Sequence, residues 1–304
     1  MPEPKTGVAD QQQQQQPAAE KPKVAAAAEE EAAVAEPKAP NPVDAARIME
    51  LRRDPTQAGK QLQELPGWRE REPFVKALVA ELRDPHSPLT PDQVVTILKG
   101  IDANAKADER AQFTGPPGDE IVAKIGTSKA LQLLGEVKFS QLKTAMRWGI
   151  GANLAKEYGD KGDIDFAPIA GLPAEDRTVI LTSIGDHVEI NDAVSASRFL
   201  AALKLNDEDK PHVALSAVSK LDRVPPMQLI EEALKPGTPC ASVFFRSGFM
   251  YFHGDDTTAA VAFLREKKAT LPPDFYQIAV KDIVTHLENR GDTRGAEEWK
   301  KELR

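Results

Sequence analysis

Cysteine is almost missing from this chain. Among 304 residues there is one, Cys240, so no intrachain disulfide can form. That count fits a reducing compartment. Cys240 lies in the apolar segment Pro239-Cys240-Ala241-Ser242-Val243-Phe244 and is expected as a small buried hydrophobe rather than a reactive thiol. Long apolar runs are missing too. With no stretch of ~18 apolar residues, no membrane-spanning helix is expected. No basic region followed by an apolar core stands at the N-terminus, so a cytoplasmic location is expected unless the true start lies upstream of Met1. Dense positive charge is also lacking. Lys and Arg number 39 against 47 Asp and Glu, a net charge of −8. The largest basic clusters are Lys300-Lys301 and Lys267-Lys268 with a nearby Arg. Phosphate neutralisation needs a basic face, so nucleic acid is not expected as a partner.

The first forty residues hold the run Gln11 to Gln16, the run Ala25 to Ala28, the acidic triplet Glu29 to Glu31, six prolines and no aromatic. Such a segment cannot bury enough apolar surface to offset the entropy of ordering, so residues 1–40 read as a disordered tail. Asn41-Pro42 then opens a helical domain over residues 41–304, since Asn caps and Pro suits the first turn.

What the rest of the chain does have is repetition. An Asp is followed four residues later by Ala and three after that by a large aromatic: Asp192-Ala196-Phe199, Asp256-Ala260-Phe263 and Asp292-Ala296-Trp299. Each part has a packing role. The Asp caps a helix, the Ala lets a neighbour approach, and the aromatic one turn on fills the space beside it. A second phrase, Leu-Pro, precedes apolar segments at Leu65-Pro66, Leu172-Pro173 and Leu271-Pro272. The residues that follow it, such as Tyr276, Val280, Ile283, Val284 and Leu287, keep a helical rhythm. Helices are expected at about 192–204, 207–221, 225–235 and 239–252, in units of about 32–36 residues. Residues 41–160 are less regular, with a long loop expected from Asp102 to Gly118 before helices resume at Asp119–Ile125, Ser128–Val137 and Ser140–Tyr158.

Over about residues 163–304 this pattern resembles the tetratricopeptide-like class of helical repeats. The resemblance implies a right-handed α-solenoid of antiparallel hairpins and a protein-binding role. The further aromatics and glycines of that motif, and its closing Pro, have no counterparts here. Its peptide-binding residues therefore transfer to no position of this chain.

Candidate chemistry is sparse. Gly149 and Gly151 lack the Lys-Ser/Thr continuation of a phosphate loop and read as close helix packing. Asp160, Asp163 and Asp165 are three carboxylates in six residues and are the candidate metal ligands, although the spacing fits a turn ending in a cap better than a calcium loop. Of the histidines His86, His187, His212, His253 and His286, none forms a His-x3-His pair, and no metal or other cofactor is expected. His253, beside Asp255 and Asp256, is the candidate catalytic residue of an enzyme reading. The segment Val243 to Phe252 carries five of the seventeen aromatics. Phe245, Phe249 and Phe252 share one face with Arg246 alongside, either buried in the stack or anchoring a partner. The leading expectation is an all-α protein serving as a non-catalytic interaction or scaffold module for a protein partner, with its oligomeric state open. The alternatives are an enzyme using His253 with Asp255 or Asp256, and an envelope-associated structural protein.

Overall fold

The computed structural model describes residues 46, 49–50, 53–84, 86–113 and 117–303. The expected tail and the Asn41-Pro42 start lie outside them. Among the described residues every regular element is helical and none is a strand. In order these are α1 (Ala58–Glu64), α2 (Trp68–Arg83), α3 (Pro91–Asn104), the single turn α4 (Ala107–Arg110), α5 (Pro117–Ile125), α6 (Thr127–Glu136), α7 (Ser140–Lys161) and the single turn α8 (Ala167–Ala170). They continue with α9 (Ala174–His187), α10 (Ala193–Ala202), α11 (Lys210–Ser219), α12 (Pro226–Ala233), α13 (Ala241–Asp255), α14 (Thr257–Lys267), α15 (Pro273–Asn289) and α16 (Thr293–Lys300).

The recurring phrases act as their chemistry requires. Asp192, Asp256 and Asp292 each cap a helix, accepting from the backbone N–H of Ser195, Ala259 and Gly295 at 2.8, 2.9 and 2.8 Å. The alanines that follow, Ala196, Ala260 and Ala296, are buried, as are Phe199 and Trp299, while Phe263 is partly buried against the core. Pro173 and Pro272 stand at the cap positions of α9 and α15.

The odd-numbered helices α1, α3, α5, α7, α9, α11, α13 and α15 each pack on the next in that order. Arg147 meets Asp176, and one turn further along both helices Gly151 meets Ile180. This shared offset means that α7 and α9 run in the same direction. The even-numbered helices supply the rest of the packing, with α6 on α7, α10 on α11, α12 on α13 and α16 on α15.

Four pairs of neighbours in the row, α1–α3, α5–α7, α7–α9 and α9–α11, touch backbone to backbone, and small residues permit it. Gly59 of α1 lies against Gly100 of α3, and Gly118 of α5 against Ala145 and Gly149 of α7. A Cβ on Gly151 would stand 2.5 Å from the Ile180 carbonyl oxygen, and one on Gly185 would stand 2.3 Å from that of Val213. Helix axes usually stay 8–10 Å apart, and a side chain at these points would force the pairs to separate. The expectation for Gly149 and Gly151 therefore holds.

Buried ion pairs join elements further apart in sequence. Arg71 of α2 pairs with Glu109 of α4, Arg147 of α7 with Asp176 of α9, and Arg177 of α9 with Asp209 just before α11. All of these residues except Arg177 are buried. Arg71 and Arg177 also donate to the carbonyls of Leu65 and Leu172, at 3.1 and 3.2 Å. Two Leu-Pro phrases thus offer their carbonyls to an arginine that reaches onward along the chain.

The long loop expected from Asp102 to Gly118 is shorter than the sequence implied. Helix α3 continues to Asn104, α4 and a short 3-10 turn follow, and α5 begins at Pro117. The fully buried Glu109 carboxylate, tied to Arg71, anchors part of what the sequence presented as a long loop. Cys240 also departs from expectation. It is partly exposed, and its φ of 52° makes it the one non-glycine residue in left-handed conformation among those described.

Two measurements test this packing. Gly185→Ala is expected to cost about 2 kcal/mol through overpacking. Gly159→Ala, where nothing lies within 4 Å, is expected to gain about 0.5–1 kcal/mol from helix propensity. Equal shifts in the urea midpoint for the two would contradict the close-approach account. Asp176→Ala, which leaves Arg147 buried without its main partner, is expected to lower the same midpoint by an equivalent of about 3–5 kcal/mol.

Candidate functional site

One polar cluster spans three helices of the row. It takes Asp119 from the start of α5, the Trp148 ring and carbonyl from the middle of α7, and Ser183 and His187 from the end of α9. The close approach at Gly149 and Gly151 brings these helices near enough for Asp119 to reach His187, with its Oδ2 3.5 Å from Nε2. The His187 ring meets Trp148 edge-on, with centroids 6.3 Å apart. Burial raises the Asp119 pKa above the ordinary carboxylate value, and the nearby His187 opposes that shift.

Serine, histidine and aspartate in one chain of contacts invite comparison with a hydrolytic triad, and the proton positions decide against it. The Ser183 hydroxyl donates to the Trp148 carbonyl at 2.7 Å. His187 Nδ1 lies 2.9 Å from the Ser183 carbonyl, an acceptor only, so Nδ1 carries the hydrogen. An Nδ1 that already holds a proton cannot take one from Ser183, whose Oγ is 3.3 Å away. Ser183 is moreover completely buried. The bonds that join these helices are Ser183 Oγ to the Trp148 carbonyl, between α9 and α7, and Asn153 Nδ2 to the Asp119 carbonyl at 3.2 Å, between α7 and α5; the partly exposed Nε2 of His187 and Asp119 carboxylate stand beside them.

The residues singled out in the sequence fall elsewhere. His253 is buried near the end of α13, edge-on to His286 of α15 with centroids 4.8 Å apart. Burial and the neighbouring imidazole push its pKa below the ordinary histidine value. The Asp256 carboxylate is engaged in capping α14. The Asp255 side chain lies outside the described residues. Phe245 and Phe249 are completely buried, and Phe245 stacks on Phe275 of α15 at 4.7 Å. Phe252 is partly buried and meets Phe263 edge-on. Neither Phe245 nor Phe249 offers surface to a partner, because α15 occupies the face they share. Arg246 is exposed, and its charge acts on Asp282 of α15.

The three carboxylates are likewise engaged or apart. Asp163 accepts from Lys204 at 2.6 Å and from the Ile164 N–H, and these bonds lower its pKa. Asp165 accepts from the N–H of Ala167 at the start of α8, and Asp160 is exposed near the end of α7. Asp163 and Asp165 line an open groove of about 490 Å³ with Glu157, Lys161, Phe166 and Lys204. Among the described residues no group of three or more His, Cys, Asp or Glu is placed to hold a metal ion, and no helix is long and apolar enough to cross a membrane. No protein-family model, curated protein or solved structure matches the chain.

Sequence reasoning missed the Asp119–Trp148–Ser183–His187 cluster. Its members are about one repeat apart, and neither recurring phrase precedes α5 or α7 to set them in register. A serine-reactive fluorophosphonate probe is expected to leave Ser183 unlabelled in the folded protein, as read by peptide mass spectrometry. Labelling at Ser183 would overturn the proton assignment given above.

Proposed function

We propose that the chain is a non-catalytic protein-interaction or scaffold module. In this reading the row of odd-numbered helices is one layer of a right-handed α-solenoid of antiparallel hairpins, like those of tetratricopeptide-type proteins. The observation that carries it is a pair of large apolar side chains exposed on two adjacent row helices. Leu215 of α11 is 61% exposed and Met250 of α13 is 47% exposed. The two helices are tied beside these residues by the Tyr251 hydroxyl, which donates to the Ser219 carbonyl at 3.1 Å. Large apolar side chains left in water on neighbouring rungs form the start of an apolar contact surface. Arg246, also exposed on α13, adds a charged rim. The polar cluster at Asp119 and His187 supports the same reading, since its serine is engaged in a structural bond.

The test uses the full chain and a Leu215→Lys, Met250→Lys variant. Both positions are exposed, so helix content by circular dichroism is expected to stay the same. Crosslinking in native lysate is expected to enrich a protein with the wild type that the variant loses. Identical captures from both would remove Leu215 and Met250 from consideration.

A further inference from the structure

The contact between α13 and α15 contains a pair of histidines that the cluster described above does not use. His253 is 7% exposed, and its Nδ1 finds no hydrogen-bond partner beyond the backbone of its own residue. The His286 ring stands 4.8 Å away at 65°, with its Nε2 3.0 Å from the Thr257 hydroxyl. Phe249 covers another side of His253 at 5.6 Å. The start of α14 brings Asp256, whose carboxylate accepts from the N–H of Ala259. Arg246 and Asp282 lie further back along the same contact, where the Arg246 charge acts on Asp282. Among the described residues, including those of α11 and α12, His286 is the one titratable group whose charge acts on His253.

We propose that the His253–His286 pair is an acid-released latch holding the last hairpin, α15 with α16, onto α13. The neutral pair suits an apolar setting. A charged imidazolium would be buried with no ion-pair partner among the described residues and with a second imidazole beside it, a combination that folded proteins avoid. When α15 separates from α13, the His253 ring reaches water and takes up a proton near the ordinary value of about 6.5. Because the packed pKa of His253 is lowered, its contribution to packing is complete above that ordinary value. It is lost as pH falls through it toward the packed value. Asp282 works the other way. Burial raises its pKa, so its protonation in acid favours the packed contact and limits how far release proceeds. The Phe245–Phe275 stack crosses the same contact, so release uncovers Phe245 and Phe249. The aromatic face is then a surface that the hairpin hides at neutral pH. This inference does not depend on what Leu215 and Met250 bind.

Hydrogen exchange of the full chain tests it, expressed as protection factors so that the intrinsic pH dependence of exchange is removed. Between pH 7 and pH 5, protection of the α15 and α16 amides is expected to fall about tenfold while that of α7 and α9 holds. His253→Gln is expected to flatten that fall, and Asp282→Asn to deepen it. If His253→Gln does not fold, His286→Gln takes its place, since it removes the imidazole that acts on His253 and keeps a hydrogen-bonding group for Thr257. Three results would overturn the latch. They are an unchanged protection factor in the wild type, a fall shared equally by all helices, or the same fall in the glutamine variants.

Discussion

At four contacts of the row, helices approach until main chain meets main chain, and the polar ties around those contacts depend on that approach. A Cβ at Gly151 or Gly185 would overlap a carbonyl oxygen of the next helix. With glycine there, α7 can sit close enough to α9 for Ser183 to donate to the Trp148 carbonyl, a bond between side chain and main chain that a wider spacing would break. The same closeness lets Asp119 of α5 reach His187 of α9, two helices along the row. Close packing also means that strain at one contact passes to the next, because interiors at this density have little free volume to absorb it.

Polar ties then select the register at which the close contacts occur. Arg147 and Arg177 each reach from one row helix to a carboxylate at the next, and Arg71 does the same from α2 to Glu109. These pairs add little net stability, since removing two charges from water offsets their attraction. Their effect lies in what they forbid. Sliding one helix by a turn would leave a buried guanidinium and a buried carboxylate unpaired. Lys220, donating to the carbonyls of Asp186 and Val188, and Tyr251, donating to that of Ser219, close the ends of α9 and α11 in the same manner.

The legible parts of the sequence were those whose physics is local. The capping Asp, the following Ala and the aromatic one turn on are set by the geometry of a single helix, and all three copies behave accordingly. The boundaries of α10 to α13 fell within a few residues of expectation because Asp, Pro and the apolar rhythm mark them. The misread stretch from Asp102 to Gly118 shows the limit. Lys106, Asp108, Glu109 and Arg110 look like a charged loop until Arg71 is known to wait for Glu109. Phe245 and Phe249 show the same limit in reverse. Their shared face was visible, and whether water, a partner or α15 covers it is a non-local fact.

The sequence by itself determined that this chain is helical, where many of its helices begin, and which residues are small enough for close contact. Those properties depend on neighbours within about four residues, and composition carries them. Only the tertiary structure decided which carbonyl each glycine would touch, which carboxylate each arginine would find and which histidines would be buried together. It also decided that the Ser183 hydroxyl is spent on the Trp148 carbonyl and that Asp119 comes within reach of His187. The physical reason is that burial and proton direction are set by groups tens of residues away, and periodicity along one helix carries no information about them.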